Sequence, residues 1–349
     1  MPKNNEKKST STEECRQGNS LPLSNLCEKA TFCTIGQMWL NSNHMNSKES
    51  TVVKYHNIFR NHILPDIGDC LITEFNTELF ENFAVKKQKN GRLDGKGGLS
   101  PKTVKDIISV IREILRFAHA KGIEAPACLD SFYIKVREKP LNIINRSDQD
   151  KLEQYLIKDC TPKNIGILIG LYMGLRIGEI CALKWEDIYL EDGIMGIHHT
   201  MQRLQNLSGD FKSKTKVIIT SPKSESSNRS IPIPDFLLSL LKCQSGYTSD
   251  CFFLTGSSSS YIEPRSYQNY FKKILQQNGI KYTNFHVLRH TFATQCVENG
   301  FDTKTLSEIL GHSSVNITLN RYVHASMEMK RKNMSKIQLI SAQLPTTSL

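Results

Sequence analysis

The stretch SPKTVKDIISVIREILRFAHAKGI, residues 100–123, constrains the fold of the first part of the chain more than any other segment. Ser100 is a suitable N-cap, Pro101 fits the first helical position, and Gly122 fits the end of a helix. Apolar residues recur at spacings of four, three and four residues, at Ile107, Ile111, Ile114 and Ala118. Such a stripe is typical of an amphipathic helix that buries one face. The pattern predicts a helical domain over residues 31–125.

The chain of 349 residues is too long for one typical hydrophobic core, which favours two domains. A hydrophobic fraction of 39% and a charged fraction of 23% are typical of a soluble globular protein. No apolar run approaches the ~18 residues that a membrane-spanning helix needs. The N-terminal residues lack the apolar stretch of a secretory signal, so we expect a cytoplasmic protein without a membrane partner.

The formal net charge of +11 favours a polyanionic partner, either nucleic acid or an anionic membrane surface. Between residues 81 and 123 there are ten Lys or Arg but four Asp or Glu. Four of these basic residues belong to the capped helix, namely Lys102, Lys105, Arg112 and Arg116. A solvated helix face would account for some of them, but the local excess favours contact with phosphates.

The ten cysteines are scattered and lack the two-residue gap of zinc sites. Reduced, mostly buried thiols are therefore favoured over a metal or disulfide role. We expect no metal and no cofactor.

The segments of the chain differ in composition. Residues 1–30 are polar and aperiodic and predict a flexible arm. Residues 126–146 predict an extended linker, followed by a helix with Ser147 or Asp148 as its cap. From 147 to 326 helical patterns alternate with short strands, which we expect to form one small antiparallel sheet. The tail, 327–349, is equally consistent with a helix that docks on a neighbouring protomer and with a polar end.

Isolated polar residues interrupt the apolar helices of the second domain. Arg176 and Glu179 in MGLRIGEICAL lie three apart, so they share a helix face and can pair. The remaining members of this polar set are Lys223, His286, Arg289, His312 and Tyr322. Two glycine motifs bind nucleotides in many proteins, G-x-x-x-x-G-K-[ST] and G-x-G-x-x-G, and neither occurs here between a strand and a helix. An enzyme that acts on phosphate without metal or nucleotide must neutralise charge with fixed cations, and arginines suit that task.

The ordered motifs GLRIGE, a hairpin lysine, HVLRHTFAT, LGHSS and TLNRYVHAS resemble the tyrosine recombinase (phage integrase) family, of the mobile-element integrase type. The resemblance covers residues 147–326 and extends more loosely over 31–123. It implies a mixed α/β, mainly α fold. A helical core-binding domain and a mixed α/β catalytic domain would close around duplex DNA as a C-shaped clamp.

The resemblance implies a role for each member of the polar set. Arg176 and Arg289 match the catalytic arginines, and Glu179 matches the acidic residue that supports the first of them. Lys223 matches the proton donor to the leaving 5′-oxygen, although Lys212, Lys214 and Lys216 lie nearby. His286 and His312 match the family's two histidine positions. Tyr322 matches the nucleophile, which forms a 3′-phosphotyrosyl link that a 5′-hydroxyl of the partner duplex reseals.

Two further histidines lie beside matched residues. His290 follows Arg289 directly and is therefore expected about 100° away on the helix, in a structural role. His324, after the tyrosine, is interpreted as helping to place the last helix.

The same resemblance implies that the chain binds double-stranded DNA and that four copies of it assemble on two DNA sites. It also implies an excisionase-like or host accessory protein that bends DNA. Lys212 and Lys214 join the four basic residues of the capped helix as candidate DNA contacts. Residues 201–229 carry six Lys or Arg against two acids, which favours a mobile-element integrase or transposase.

Three alternatives remain. One is a chromosome- or plasmid-dimer resolvase of the same family. Another is a type IB topoisomerase, which the motif wording disfavours. The last is a catalytically inactive DNA-binding regulator, which would be expected to have lost one of the matched residues.

Overall fold

The structure is a computed structural model that describes residues 30–43, 47–124, 133–136, 140–207, 214–221, 225–244, 246–322, 331 and 334–335. Residues 1–29 of the predicted arm, and most of the predicted tail, lie outside the described residues. The chain divides into two compact units. The first unit is Met1–Lys139 with Leu207–Asp210, and the second is Pro140–Asn206 with Phe211–Leu349.

The first unit is helical, as predicted. Its helices are α1 (Phe32–Asn43), α2 (Glu49–Ile58), a π-helical turn (Phe59–Ile63), α3 (Leu64–Ile67), a 3-10 turn (Ile72–Glu74), α4 (Thr77–Asn90) and α5 (Pro101–Ala120). The predicted α5 is confirmed, since Ser100 Oγ accepts a hydrogen bond from the Thr103 amide at 3.2 Å. Gly122 adopts φ +79° just beyond the helix end. All four residues of the predicted stripe are fully buried in the core of this unit.

The second unit combines helices with short strands. Its helices are α6 (Arg146–Lys158), α7 (Pro162–Tyr172), α8 (Ile177–Ala182), α9 (Asp235–Lys242), α10 (Pro264–Gln277), α11 (His286–Glu298), α12 (Thr303–Leu310) and α13 (Val315–Tyr322). Its strands are β1 (Ile188–Tyr189), β2 (Ile194–Ile197), β3 (Thr200–Gln205), β4 (Thr215–Thr220) and β5 (Arg229–Pro232). Single 3-10 turns cover Trp185–Asp187 and Glu225–Ser227. The mixed, mainly helical fold class is therefore confirmed.

The strands form two small antiparallel sheets, where the sequence predicted one. The first sheet has the order β1-β2-β5, and the second is the hairpin of β3 and β4. In the first, Met195 pairs with Ile231, and both are buried. In the second sheet, no residue of β4 is fully buried. Alternation within each strand was readable from the sequence, but strand partners depend on long-range contacts that local patterns do not encode.

Helix α7 lies at the centre of the second unit's core. Its residues from Asn164 to Leu171 are all buried, as expected for a helix that is apolar on every side. The chain leaves α7 at Gly174, which has φ +67°. A Cβ at this glycine would lie 2.5 Å from the Phe292 ring, so the chain turns where α11 approaches closely.

The predicted cap of α6 is wrong by two or three residues. Asn145 is the N-cap, and its Oδ1 accepts a hydrogen bond from the Asp148 amide at 2.9 Å. The segment NRSD contains several residues that can cap a helix. Burial of Ile144, whose amide donates to Thr291 Oγ1 at 3.0 Å, fixes which of them lies at the start.

No helix among the described residues is both long and apolar enough to cross a membrane.

Candidate active site

Arg176 and Glu179 lie at the start of α8. Arg176 is the N-cap, and its amide donates to Glu179 Oε2 at 2.9 Å. Its guanidinium donates through Nη1 to Glu179 Oε1 at 2.7 Å. The predicted pair thus exists, but it lies at the N-terminus of α8, where the Glu179 carboxylate accepts from the Arg176 amide, rather than on the face of a continuous helix. The Arg176 side chain remains 35% exposed, whereas that of Glu179 is 2% exposed, so the carboxylate fixes an arginine that a solute can still reach.

Arg229, at the start of β5, holds the other side of the same carboxylate. Its Nη2 donates to Glu179 Oε2 at 3.0 Å, and its Nη1 donates to Oε1 at 3.2 Å. Its Nε donates to the Ile309 carbonyl at 2.7 Å, which ties β5 to the end of α12. Burial raises the pKa of Glu179, but Arg229 and then Arg176 outweigh it, so the pKa is held below its usual range. The carboxylate is therefore charged and shared by two arginines.

Arg289, on α11, is the largest fully buried side chain among the described residues, with 1% exposure. Its Nη1 donates to the Gly174 carbonyl at 2.9 Å, and its Nη2 donates to the Leu310 carbonyl at 2.7 Å. The two carbonyls accept hydrogen bonds from a guanidinium that would be costly to bury without partners. Burial, with the nearby charge of Arg176, lowers its pKa to about 9, so Arg289 stays charged at neutral pH.

The turn between α12 and α13 brings the next residues into place. Gly311 adopts φ +63°, and the amides of Gly311 and His312 donate back to Glu308 and Ser307. This pattern is a Schellman motif, which ends α12 sharply. The Gly311 carbonyl accepts a hydrogen bond from Arg176 Nη2 at 3.1 Å. His312, in this helix-to-helix turn, shares a 2.8 Å hydrogen bond between its Nδ1 and Thr318 Oγ1.

Tyr322 is the last residue of α13 and is buried, with 6% exposure. It belongs to a small apolar cluster with Ala293, Cys296, Leu306 and Leu310. Its ring stacks at 6.4 Å, centroid to centroid, on that of His312. Burial raises the pKa of Tyr322, while Arg289, Arg321 and Arg176 act against that rise. A phenol in this position needs its cationic neighbours before it can ionise.

His290 was expected about 100° from Arg289 in a structural role, and the structure brings it into direct contact with the site. Its Nδ1 lies 2.8 Å from the Tyr322 hydroxyl oxygen. Its Nε2 lies 3.4 Å from Nη2 of Arg321, and its ring meets that of His286 at 4.5 Å between centroids. The 100° step along α11 is correct, but α13 packs on the side of α11 to which this step turns His290. Helix packing of that kind cannot be read from one helix's period.

All three histidines of the site are neutral at neutral pH. Burial is the largest cause in each case, and neighbouring charges add to it. The pKa of His286 is lowered to about 3, and those of His290 and His312 are lowered to about 4. Neutral imidazoles can each donate one hydrogen bond and accept another.

The candidate residues of the second unit fall into three groups. Arg176 and Arg289 donate to the carbonyls of Gly174, Leu310 and Gly311. Glu179 holds Arg176, His312 stacks on Tyr322, and His286 meets the ring of His290 that lies against Tyr322, so these six candidates make one site. Lys223, Lys212 and His324 lie outside the described residues. Lys214 lies directly before β4. Lys216 lies within β4 and pairs with Leu204 of β3.

The four basic residues predicted on α5 lie in the first unit. They share one helix face, since their spacings of 3, 7 and 4 residues repeat the helical period, and this face is opposite the buried stripe. Lys102, Lys105 and Arg116 are exposed, and Arg112 is half-buried. Lys105 Nζ also lies 5.3 Å from the Tyr133 ring centre.

Arg229 was missed by sequence reasoning. It was visible only as the arginine of NRSIPI, an alternating segment that follows the hairpin lysine. A strand arginine is ordinarily solvated, and nothing local indicated that Glu179, fifty residues earlier, would bury against it.

Comparisons with known proteins agree with this fold. Residues 141–329 match the phage integrase family, and residues 31–87 match the phage integrase N-terminal SAM-like domain. A Caldanaerobacter subterraneus protein described as tyrosine recombinase XerC-like is 28% identical over 308 residues, covering 82% of this chain and 77% of that protein. The transposase of transposon Tn916 from Enterococcus faecalis is 30% identical over 225 residues, covering 57% of this chain and 53% of that protein.

Solved structures share the fold. The Tn1549 transposon integrase, in complex with transposon right-end DNA, superposes with a TM-score of 0.72 at 21% identity, covering 87% of this chain and 98% of that one. A lambda integrase dimer bound to a core site gives a TM-score of 0.59 at 16% identity, covering 93% of this chain and 85% of that one.

The fold and the buried cluster of arginines, histidines and a tyrosine define a class of enzymes that cleave and rejoin DNA. The chain belongs to the phage integrase family of tyrosine recombinases.

Proposed function

We propose that this chain is a site-specific recombinase of a mobile genetic element, which cleaves and rejoins DNA through a covalent link to Tyr322. The observation that carries the proposal is the convergence of Arg176, Arg289 and His312 around one tyrosine. The names of relatives support the mobile-element assignment, because they include transposases of Tn554 and Tn916.

The proposed cleavage step begins with Tyr322. Its oxygen attacks the scissile phosphorus, and the phenolic proton is released to solvent. The bond from phosphorus to the 5′-oxygen then breaks, and the proposed donor Lys223 gives that oxygen a proton. In the second half of the reaction, a 5′-hydroxyl attacks the phosphotyrosine and returns its proton to Lys223, and the tyrosine oxygen leaves and regains a proton from solvent. The phosphodiester is exchanged and not hydrolysed, so the step needs no external energy source.

The proposed role of the arginines follows from their contacts. Arg289 has five N–H groups, of which two donate to the Gly174 and Leu310 carbonyls. Arg176 is tied on one side by Glu179 and is exposed on the other. Both can therefore present further N–H groups to the non-bridging oxygens of a phosphate. Fixed donors of this kind stabilise developing charge without reorganising, and good orientation contributes about 7–11 kcal/mol.

The proposed DNA interface of the first unit is the basic face of α5. Exposed Lys102, Lys105 and Arg116, with Arg112, present charge along four turns of helix. Phosphate contacts of this kind give affinity without sequence preference. Assembly of four protomers on two DNA sites, and an accessory DNA-bending protein, remain part of the proposal. A solved neighbour that supports the assembly is a lambda integrase tetramer on a Holliday junction.

Tyr322→Phe tests the nucleophile. The substrates are nicked duplexes cut from the DNA that flanks the gene, and the readout is a protein–DNA adduct that survives denaturation. We expect the adduct to disappear while binding in a gel-shift assay is unchanged, because the ring and its packing remain. Tyr282→Phe, at a 51% exposed tyrosine of the same unit, is the matched control and should keep the adduct. An adduct formed by the Tyr322→Phe protein would refute the assignment.

Resolution of chromosome or plasmid dimers is the second candidate. The XerC-like relative is aligned over more of this chain, 82%, than the Tn916 transposase, 57%. A reaction that joins the flanks of the gene into a circle supports the mobile element. Reaction only between two identical sites on a plasmid dimer supports resolution.

A further inference from the structure

The hydroxyl of Tyr322 has a hydrogen-bonding neighbour that the roles proposed above do not use. His290 Nδ1 lies 2.8 Å from the tyrosine oxygen, and both side chains are buried, with 7% and 6% exposure. At that distance the two groups share one hydrogen, which belongs either to the imidazole or to the phenol. The distance alone does not decide between them.

The other ring nitrogen decides it. His290 Nε2 lies 3.4 Å from Nη2 of Arg321. A guanidinium has only donors, so a favourable contact requires Nε2 to offer its lone pair. A neutral imidazole that accepts at Nε2 carries its hydrogen on Nδ1. The opposite tautomer would set an N–H of His290 against an N–H of Arg321.

We propose that His290 is a neutral hydrogen-bond donor to the oxygen of Tyr322, held in its Nδ1–H tautomer by Arg321. The proposal rests on the proposed role of Tyr322 as nucleophile. A donor at this oxygen stabilises the phenolate relative to the phenol and orients its remaining lone pair. The imidazole therefore does not act as the base that removes the phenolic proton.

The surroundings of His290 keep it neutral. Burial, followed by Arg321 and then Arg289, lowers the pKa of His290 to about 4. The titratable groups that face it are Arg321 and Tyr322 from α13, and His286 and Arg289 from its own helix. Arg289 is a further donor that acts against the raised pKa of Tyr322. Two donors thus act on one buried oxygen, which compensates for part of the cost of ionising it there.

The first test is the tautomer itself, which needs no DNA. Nitrogen-15 spectra of histidine-labelled full chain, with the His290 signals assigned by their loss in His290→Asn, report which ring nitrogen carries the hydrogen. We expect Nδ1 protonated and Nε2 unprotonated at pH 7, and a change in this state in Arg321→Gln. An Nε2–H tautomer or an imidazolium at pH 7 would overturn the proposal.

The second test compares two nearly isosteric replacements of His290. Asn can place an N–H near the position of Nδ1, whereas Asp can only accept when ionised. In the adduct assay with nicked flanking duplexes, we expect His290→Asp to lose about 10²-fold in rate and His290→Asn to retain more activity at every pH. If the imidazole were the base, the carboxylate would be the better substitute, so an Asp variant at least as fast as Asn refutes donation.

Matched controls separate these outcomes from other failures. His198→Asn changes a half-buried histidine outside the site, whose Nδ1 lies 2.7 Å from Asn228 Oδ1, and it should leave the adduct rate unchanged. If the wild-type chain forms no adduct, the proposed function fails on that substrate, and the tautomer measurement still decides the state of His290. If Tyr322→Phe abolishes the adduct while Asp equals Asn at position 290, the function stands and this inference is wrong.

Discussion

The shared carboxylate of Glu179 makes Arg229 the residue whose removal should disturb the site most without touching a proposed catalytic group. Arg229→Met keeps much of the side-chain length but removes four donated hydrogen bonds. Two go to Glu179, and the others go to the Ile309 and Ser227 carbonyls. The side chains of Arg229 and Glu179 are 7% and 2% exposed.

The magnitude follows from the asymmetry of buried ion pairs. Breaking such a pair by removing one partner costs about 3–5 kcal/mol, because the other charge stays buried. Arg176 still holds Glu179, which places the expected loss toward the lower end of that range, about 3 kcal/mol. We expect this loss in the free energy of unfolding of the second unit at pH 7.

The assay is urea unfolding followed by tryptophan fluorescence. The chain has two tryptophans, Trp39 in the first unit and Trp185 in the second, so a Trp39→Phe background reports the second unit alone. Arg203→Met is the matched control in the same unit. It removes an ion pair with Glu263 whose arginine is 42% exposed, and such pairs contribute about 1 kcal/mol or less.

The same reasoning fixes a pH dependence. The pKa of Glu179 in the folded protein is depressed, so its contribution to stability is present above its unfolded value of 4.5 and is lost as pH falls through the folded pKa. Acidification should therefore narrow the gap between wild type and Arg229→Met. A loss at pH 7 no larger than that of Arg203→Met would refute the shared-carboxylate argument.

Three further outcomes are expected. Gly311→Ala should destabilise the second unit for two reasons. The φ of +63° alone costs an alanine about 1–2 kcal/mol, and a further loss is expected because the new Cβ would lie 2.9 Å from Arg229 Nη1. Gly279→Ala, at φ +65° with open space around the Cβ, is its control in urea unfolding and should show the strain alone. The site histidines have folded pKa values of about 3 to 4, below the ordinary 6.5, so the unfolded chain binds more protons in acid. Stability of the second unit should be level above pH 6.5 and fall between about 6.5 and 4, and a flat urea midpoint over that range would contradict the burial of these rings. Replacing Lys102 and Arg116 by Gln should reduce the slope of log affinity against log salt by about 0.9 for each phosphate that is no longer neutralised, measured by fluorescence anisotropy; an unchanged slope would mean that this face is merely solvated.

Local patterns in the sequence determined much of this protein. The cap, stripe and terminal glycine of α5 lie within one segment, so the helix was predictable from residues that are neighbours in the chain. The break at Gly174 and the turn at Gly311 were predictable for the same reason, because a left-handed residue is a local requirement. The motif wording alone led to the family, and the match over residues 141–329 confirms it.

The tertiary structure decided what depends on distant segments. It placed Arg229 against Glu179 and turned His290 toward Tyr322, across separations of 50 and 32 residues. It also split the strands into two sheets. Each of these depends on which faces of two helices or strands meet, which is set by the packing of the whole core. The sequence therefore indicated most residues of the candidate site, and the fold added Arg229 and brought His290 against the tyrosine oxygen.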